Sequence, residues 1–337
     1  MRIGVAGVGR IGAFHAATLS SLPAVETLVL ADADHDRARA VAAKLSGEVG
    51  VDALDGVDGL LAAGLDGLVI ATPTPAHAPL LRRAVEAGLP VFCEKPVAET
   101  IDETLAVLAA VRELGARVQI GFQRRFDVGY TAARAAVADG SVGWVHTLRA
   151  GTLDPAPPPA GYIATSGGIF KDCSVHDFDV IRWVTGREVT EVYATGSNRG
   201  EAFFTDAGDV DTALALLRLD DGSLAAVSAT RYNGAGYDVR LEVLGSRASV
   251  AVGLDDRLPL ASVEPGVTWP AGPGYAGFME RFEPAYRREL EAFTDLVAGT
   301  VDSPCTVADA LEAVSIAAAC DRSRQEHRPV PMAEVRR

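Results

Sequence analysis

The stretch that decides the fold is MRIGVAGVGRIG at residues 1–12. A short apolar run of strand type, Arg2–Gly7, leads into a helical pattern at Ile11–Ser21, and three glycines with the spacing GxGxxG join them. The first glycine of such a turn allows a tight bend, the second lets the backbone approach a pyrophosphate, and the third lets helix and strand pack closely. Free N–H groups at the helix N-terminus then face the anion. The stretch therefore predicts the start of a Rossmann domain that binds a dinucleotide.

An acidic residue stands where the second strand of such a domain ends. Asp32 follows the strand predicted at Glu26–Ala31, 20 residues after Gly12. A carboxylate there accepts hydrogen bonds from the adenosine ribose diol and repels the 2′-phosphate of NADP, which favours NAD as the cofactor. Two alternatives stay open. Asp32 could merely cap the helix that follows, and the nearby Arg37 and Arg39 could tolerate a phosphate.

Residues 1–122 alternate between short apolar runs and longer helical patterns, which predicts a doubly wound parallel sheet with helices on both faces. The runs are rich in Val, Ile and Leu without alternation, as expected of strands buried on both faces. Besides the first two strands, we predict strands at Asp66–Thr72, Pro90–Cys93 and Arg117–Gly121, and helices at Ile11–Ser21, Asp36–Leu45, Ala76–Ala87 and Ile101–Leu114.

The pattern changes over residues 123–337, where successive strand patterns have short links. This predicts a second domain of the α+β class with a large, mostly antiparallel open sheet, and the last helix is a candidate to pack back on the first domain. Asp220-Asp221-Gly222 between two runs is a hairpin signal. We predict strands at Trp144–Gly151, Val189–Thr195, Asp211–Leu219, Ser223–Thr230, Asp238–Leu244 and Ser249–Val252, and helices at Tyr130–Asp139, Asp172–Val184, Pro284–Ala298 and Val307–Arg324.

Composition excludes several classes of partner. The 337 residues carry a formal net charge of −14, which argues against nucleic acid and anionic membrane surfaces as partners. No apolar run approaches the roughly 18 residues that a membrane helix needs, and the N-terminus lacks the pattern of a signal peptide. The four cysteines fit neither a zinc site nor a disulfide framework. A reduced, cytoplasmic compartment is the simplest interpretation.

Two further motifs follow strands at the carboxyl edge, where open α/β sheets bind ligands. Thr72 and Pro73 could line the nicotinamide side of the cleft or belong to an ordinary proline-shaped turn. Lys95, in Glu94-Lys95-Pro96, is expected to face the nicotinamide end of the cofactor. The lysine must turn back directly after its strand, and cis peptide bonds are essentially confined to proline, so we expect a cis Lys95–Pro96 bond.

Asp172 and His176 form the other candidate chemical group. They lie four residues apart, so a helix would place both on one face, and Gly167-Gly168 just upstream suits close approach of a ligand or backbone. Oxidation of an alcohol needs a base for the hydroxyl proton, and histidine is the usual choice. A lysine ammonium can stabilise charge developing on the alcohol oxygen. The alternative is a helix cap and a core histidine. A metal site is a third interpretation, but the adjacent His176 and Asp177 would face different ways, so no metal is expected.

Four motifs occur in combination: GxGxxG at residues 7–12, Glu94-Lys95-Pro96, GFQRRF at residues 121–126 and GGxxxDxxxHD at residues 167–177. Through these motifs, and over the whole chain, the sequence resembles the glucose–fructose oxidoreductase/inositol dehydrogenase/MocA family. The segments most similar to its inositol 2-dehydrogenase branch are Gly121 to Asp127, the loop at Asp154, Tyr237-Asp238 and Phe278–Tyr286. The resemblance implies that Lys95, Asp172 and His176 are the catalytic triad, with His176 as the base. It also implies a substrate set near the reacting ring, comprising Gln123, Arg124, Asp154 and Tyr237.

The leading hypothesis is therefore an NAD-dependent dehydrogenase that takes a hydride from a secondary alcohol of a cyclitol or sugar, in the manner of a myo-inositol 2-dehydrogenase. An NADPH-dependent keto-sugar or dihydrodiol-type reductase is the alternative enzyme, and a catalytically silent NAD-binding regulator is the alternative of another class. The resemblance implies a homodimer or homotetramer formed through the C-terminal sheet. The residues expected to contact the cofactor are Gly7, Gly9, Arg10, Ile11, Gly12, Asp32, Thr72, Pro73, His77, Glu94 and Lys95.

Overall fold

The computed structural model describes residues 1–45, 47 and 49–336. Residue contacts divide them into two compact units. The first contains Met1–Gln123 and Tyr286–Leu311, and the second contains Arg124–Ala285 and the described residues from Glu312 onward. This division differs from a single boundary after residue 122. The chain returns to the first unit because Leu290, Phe293 and Leu296 are buried in that unit's apolar core.

The first unit has a six-stranded sheet, parallel throughout, with the strand order β3-β2-β1-β4-β5-β6. This is the strand order of the Rossmann fold, and it confirms the predicted fold class. In chain order, its elements are β1 Arg2–Ala6, α1 Arg10–Ser20, β2 Thr27–Asp32, α2 His35–Leu45, β3 Gly50–Asp55, α3 Gly56–Leu61, β4 Gly67–Ile70, α4 His77–Glu86, β5 Val91–Glu94, α5 Ile101–Leu114 and β6 Val118–Gly121.

Local sequence explains where these elements begin and end. The strands β1, β4, β5 and β6 are buried over almost their whole length, as their continuous apolar runs predict. Helix α5 begins after a capping box in which the Thr100 hydroxyl accepts from the Glu103 backbone N–H, and it ends at Gly115, whose φ of +58° terminates the helix in the left-handed conformation.

In the first unit, one strand and one short helix were not predicted. Strand β3 lies at the edge of the sheet beside β2, and its residues alternate between exposed and half-buried positions. Asp52 and Asp55 give it a polar composition, so it lacks the apolar run that marks the inner strands. The following helix, α3, is only six residues long and has a single buried residue, Leu60.

The second unit is built on a seven-stranded sheet with the strand order β12-β11-β7-β10-β9-β8-β13. Its neighbours pair antiparallel except β7 and β10, which are parallel, so the prediction of a mostly antiparallel sheet is confirmed. In chain order, the elements after β6 are α6 Val128–Ala138, β7 Val145–Leu153, α7 Ala160–Ile163, α8 Val175–Thr185, β8 Val189–Ser197, α9 Phe203–Asp206, β9 Thr212–Leu219, β10 Leu224–Thr230, β11 Asp238–Gly245, β12 Ser249–Val252, α10 Phe278–Ala298, α11 Val307–Glu326 and β13 Val330–Pro331.

Several large apolar side chains on one face of this second sheet are exposed. Strand β9 alternates strictly between buried and non-buried residues, with Ala213, Ala215 and Leu217 on the covered side. On the other side, Leu214 and Leu216 are 57% and 59% exposed, and Tyr193 of the neighbouring β8 is 42% exposed. The period of two therefore gives β9 apolar side chains on both faces, and Leu214 and Leu216 lie on the face that the described chain leaves exposed.

Candidate active site

The glycine turn of the first unit has the geometry that a pyrophosphate needs. Gly7 has a φ of +83°, and its N–H donates to the Ala31 carbonyl at 2.8 Å. A Cβ on Gly12 would lie 1.9 Å from the Gly7 carbonyl oxygen, so only glycine lets α1 pack this closely on β1. A Cβ on Gly9 would meet no atom within 4 Å, so open space lies in front of this residue. These residues fit a dinucleotide that approaches Gly9 at the N-terminus of α1.

Asp32 is fixed beside that turn. Its Oδ2 accepts from the Val8 N–H at 2.8 Å, and its Oδ1 accepts from the Asp34 N–H at 2.9 Å. Arg37 Nη1 also donates to Oδ1 at 3.2 Å, although the Arg37 side chain is half-exposed. The carboxylate is thus a hydrogen-bond acceptor whose position is set in part by the glycine loop. Asp32 also accepts a hydrogen bond from the backbone just before α2. It lies at the end of β2, where a Rossmann domain has the carboxylate that binds the ribose.

Two loops at the carboxyl edge of the sheet are joined by one histidine. The His77 side chain is buried, and its Nδ1 and Nε2 each lie 2.7 Å from a backbone carbonyl oxygen, of Pro96 and Thr72 respectively. The Lys95–Pro96 peptide bond is cis, as predicted. Since both ring nitrogens face carbonyls, any effect of His77 on the cofactor, which stays a prediction, would act through the loops at Thr72 and Pro96.

A buried histidine that sequence reasoning missed contacts the Glu94-Lys95-Pro96 turn. His15, on α1, is 0% exposed, and its Nε2 lies 2.7 Å from Glu94 Oε1. Glu289 of α10 is also fully buried, and its pKa is raised well above the usual range by burial and then by the charge of Glu94. The available signal was His15 itself, a polar residue on the otherwise apolar face formed with Gly12, Ala16 and Leu19.

In the second unit, Asp172 lies in a different local structure from the one predicted. The expected helix from Asp172 begins only at Val175, and a π-helical turn at Phe170–Ser174 precedes it. Gly167 and Gly168 have φ values of +80° and +90° and lead the chain into this turn. Asp172 is therefore in the wide turn and His176 is the second residue of α8, so the predicted start of a regular helix at Asp172 was wrong. Such π turns are frequent at functional sites.

Asp172 is the centre of a polar cluster in this unit, composed of Asp154, Tyr162, Asp172, Cys173 and Arg231. The Tyr162 hydroxyl donates to Asp172 Oδ1 at 2.8 Å, and Arg231 Nη2 donates to Asp172 Oδ2 at 2.6 Å. Arg231 Nη1 also donates to Asp154 Oδ2 at 2.9 Å. Burial lowers the pKa of Arg231, but Cys173, Asp172 and Asp154 outweigh burial and raise it overall, so the guanidinium stays charged.

The other predicted substrate residues lie close to a buried ion pair. Arg124 is 1% exposed, and its Nη1 and Nη2 donate to Asp177 Oδ1 at 2.6 Å and to Thr152 Oγ1 at 2.7 Å. Two of the three guanidinium nitrogens thus have structural partners, and a contact of Arg124 with substrate stays a prediction. Gln123 is also buried. Burial raises the pKa of the Tyr237 hydroxyl, which therefore keeps its proton and can donate.

The described part of the chain lacks several features that would indicate other chemistry. It contains no group of three or more His, Cys, Asp or Glu side chains arranged to hold a metal ion. All four cysteines are buried, and no disulfide joins them. Among the described helices, none combines the length and the apolar character that crossing a membrane requires.

The chain belongs to the GFO/IDH/MocA family. Residues 1–122 match the model of the oxidoreductase family with an NAD-binding Rossmann fold, and residues 130–251 match the GFO/IDH/MocA C-terminal domain. The protein is thus an oxidoreductase with NAD as its cofactor, which confirms the predicted family and cofactor.

Its relatives are similar over nearly their whole length. The myo-inositol dehydrogenase Hyg17 of Streptomyces leeuwenhoekii is 38% identical, over 96% of this chain and 97% of that protein. The crystal structure of a myo-inositol dehydrogenase from Corynebacterium glutamicum has a TM-score of 0.89 at 35% identity and covers 98% of both chains. The scyllo-inositol dehydrogenase of Lactobacillus casei, solved with bound NAD(H) and scyllo-inositol, has a TM-score of 0.86 at 28% identity, and the match covers 99% of both chains.

Tyr162 and Arg231 are the functional candidates that sequence reasoning missed in the second unit. Tyr162 follows the proline-rich loop that begins at Asp154, and that loop was the available signal. Arg231 lies 59 residues after Asp172 and directly follows β10, with no spacing that links the two. Only the tertiary fold brings its guanidinium to the carboxylate.

Proposed function

We propose that the protein is an NAD-dependent dehydrogenase that oxidises a secondary alcohol of a cyclitol or sugar ring, with myo-inositol, oxidised to keto-inositol, as the first candidate substrate. The observation that carries the proposal is the polar cluster around Asp172. A phenol and a guanidinium each donate a hydrogen bond to the Asp172 carboxylate there, and the guanidinium also donates to Asp154. A ring that carries a hydroxyl on every carbon needs such closely spaced donors and acceptors.

The proposed roles follow from the chemistry of each residue. His176 accepts the proton of the reacting hydroxyl, because an imidazole is a suitable base near neutral pH. The Lys95 ammonium donates a hydrogen bond to the same oxygen and stabilises the negative charge that develops there. Asp172 accepts a hydrogen bond from a substrate hydroxyl or orients the imidazole. Bound NAD supplies the acceptor for the hydride.

The names of the relatives support the substrate class. The proteins from Streptomyces leeuwenhoekii and Corynebacterium glutamicum are myo-inositol dehydrogenases, and the structure from Lactobacillus casei contains scyllo-inositol. In the proposal, Asp154 and Tyr237 contact the ring together with Asp172, while Gln123 and Arg124 act from the buried layer that supports these residues. Thr72, Pro73 and Glu94 contact the nicotinamide half of the cofactor, and Arg10 and Ile11 contact its pyrophosphate.

The proposal also includes an assembly and a compartment. The exposed apolar face of the second sheet, with Leu214, Leu216 and Tyr193, supports a homodimer or homotetramer formed through this face, because monomeric proteins rarely expose large apolar patches. The four buried cysteines without a disulfide support a reducing cytoplasm.

A substrate screen tests the proposed function. Purified protein and NAD are mixed separately with inositol isomers, glucose, xylose, galactose, levoglucosan and aminocyclitols, and NADH formation is followed by absorbance. We expect one or more inositol isomers to give the highest kcat/KM. Preference for a pyranose would move the substrate to the sugars, and the absence of NADH formation with every compound would refute the proposal.

A further inference from the structure

Arg231 lies between two carboxylates of the second unit. Its Nη2 donates to Asp172 Oδ2 at 2.6 Å, and its Nη1 donates to Asp154 Oδ2 at 2.9 Å. The Arg231 side chain is only 3% exposed, whereas the side chains of Asp172 and Asp154 are 11% and 22% exposed. The Arg231 guanidinium is thus buried beneath the two carboxylates, and a ligand can reach Asp172 and Asp154.

Backbone hydrogen bonds fix the positions of Arg231 and Asp154 relative to each other. Arg231 directly follows β10, Asp154 directly follows β7, and these strands pair in parallel with Thr230 opposite Leu153. The Asp154 N–H donates to the Thr230 carbonyl at 2.9 Å, and the Arg231 N–H donates to the Asp211 carbonyl at 2.8 Å. Arg231 and Asp154 therefore both lie at one end of the sheet, where backbone hydrogen bonds hold each of them.

Charge explains why an arginine is suited to this position. Two neighbouring carboxylates repel each other, and a cation between them removes that repulsion. The planar guanidinium has donors in a fixed fork and can serve both carboxylates at once, whereas a lysine ammonium is a point charge on a flexible stem. Arg231 thereby fixes the orientation of the Asp172 carboxylate.

The two oxygens of Asp172 differ in how firmly they are held. Oδ2 contacts the buried Arg231, whereas Oδ1 accepts from the hydroxyl of Tyr162, a residue that is 47% exposed on the four-residue helix α7. An exposed tyrosine on a short helix leaves its acceptor more readily than a buried arginine does. Oδ1 is therefore the oxygen on which a substrate hydroxyl can replace a protein hydroxyl.

We propose that Arg231 is a positioning residue for the reaction. By bridging Asp154 and Asp172, it holds the Asp172 carboxylate so that Oδ1 exchanges the Tyr162 hydroxyl for a hydroxyl of the polyol. This inference rests on the function proposed above, in which Asp172 contacts the substrate.

Steady-state kinetics of Arg231→Ala and Arg231→Lys test the positioning role. On the best polyol found for the wild type, we expect Arg231→Ala to lower kcat/KM by roughly 10²-fold, the scale of misplacing a substrate-positioning group. Arg231→Lys should recover only part of the loss. Guanidinium chloride at low millimolar concentration should raise the activity of Arg231→Ala, and ethylammonium chloride at the same concentration should raise it less.

The matched control is Arg182→Ala, which removes another largely buried guanidinium, one that donates two hydrogen bonds to Glu188. It should show no rescue.

Thermal unfolding provides a readout that does not need substrate. In a double-mutant cycle of Arg231→Ala and Asp172→Asn, we expect the effects on the unfolding equilibrium to be non-additive by roughly 10-fold, as for residues in direct contact. Wild-type kcat/KM in Arg231→Ala, equal loss in Arg231→Lys without guanidinium rescue, or additive unfolding effects would each overturn the positioning role. If instead the wild type oxidised no polyol, the proposed function itself would fail, and the positioning role with it.

Discussion

At the scale of single residues, His176 is expected to carry the proton. It is the second residue of α8, at the same end of that helix as the π turn that holds Asp172. His176→Ala should reduce turnover by ~10²–10⁴-fold, the usual contribution of general acid–base catalysis. Lys95→Ala should also lower turnover, because the charge at the alcohol oxygen is lost. Steady-state kinetics with NAD and the best polyol measure both effects.

The affinity for NAD is the control for this pair of variants. It should hardly change in His176→Ala, since the glycine turn that fits the pyrophosphate belongs to the first unit. Because the base must be neutral to accept a proton, the wild-type oxidation rate should rise with pH, and His176→Ala should flatten that limb. Near-wild-type turnover in His176→Ala would show that the proton leaves by another route.

Asp32 is expected to set the preference between NAD and NADP. Its carboxylate is held by the Val8 and Asp34 N–H groups, so it cannot easily turn away from a 2′-phosphate. Asp32→Ala should narrow the preference for NAD, and the contact with Arg37 makes that arginine available to a phosphate once the carboxylate is removed. Competitive binding of the two cofactors at equal ionic strength measures this. Tighter binding of NADP by the wild type would contradict the assignment.

At the scale of elements, the turn between β1 and α1 contains glycines with two different roles: Gly12 allows close helix–strand packing, and Gly9 leaves space for the cofactor. A Cβ at Gly12 would lie 1.9 Å from the Gly7 carbonyl oxygen, so Gly12→Ala should force α1 away from β1 and cost ~1–3 kcal/mol of stability. A Cβ at Gly9 would meet only open space, so Gly9→Ala should leave the melting temperature nearly unchanged. Both should weaken NAD binding by roughly tenfold or more, because both alter the pyrophosphate cradle.

Calorimetry and NAD titration of the two variants distinguish these effects. Unchanged NAD affinity in Gly9→Ala would mean that the pyrophosphate does not approach this residue. Unchanged stability in Gly12→Ala would mean that the close packing of α1 on β1 can relax at little cost.

Elements with a strong local signal could be predicted from the sequence. The inner strands β1, β4, β5 and β6 have continuous apolar runs, and the glycine turn has a spacing that few other structures need. The edge strand β3 could not be predicted, because its exposed face is polar and an edge needs only one neighbour. The start of α10 at Phe278 was missed because Pro284, which suits a first turn, lies six residues inside the helix.

The candidate site was predicted less completely than the fold. Lys95, Asp172 and His176 are in motifs, so they could be named from the sequence. The π turn could not be foreseen, because residue types do not specify how many residues a turn contains. Arg231 and His15 were missed for a different reason: their partners Asp172 and Glu94 are distant in sequence, and only packing brings each pair together.

At the scale of the whole molecule, the exposed face of the second sheet predicts self-association. Leu214 and Leu216 should be buried between subunits, so the variant carrying Leu214→Lys and Leu216→Lys should shift the protein from a dimer or tetramer toward the monomer. Sedimentation velocity measures the shift. Leu224→Lys, at a residue 48% exposed on the neighbouring β10, tests how far the interface extends. A wild-type monomer at micromolar concentration would contradict the proposed assembly.

The most direct test of the central claim follows the transferred hydrogen. The protein is incubated with NAD and the best polyol substrate, deuterated on its ring carbons, and the NADH that forms is analysed by mass spectrometry. The account predicts that NADH carries deuterium from the alcohol carbon and that His176→Ala slows its appearance. NADH without deuterium, or no NADH from any deuterated polyol in the screen, would contradict hydride transfer from a ring alcohol.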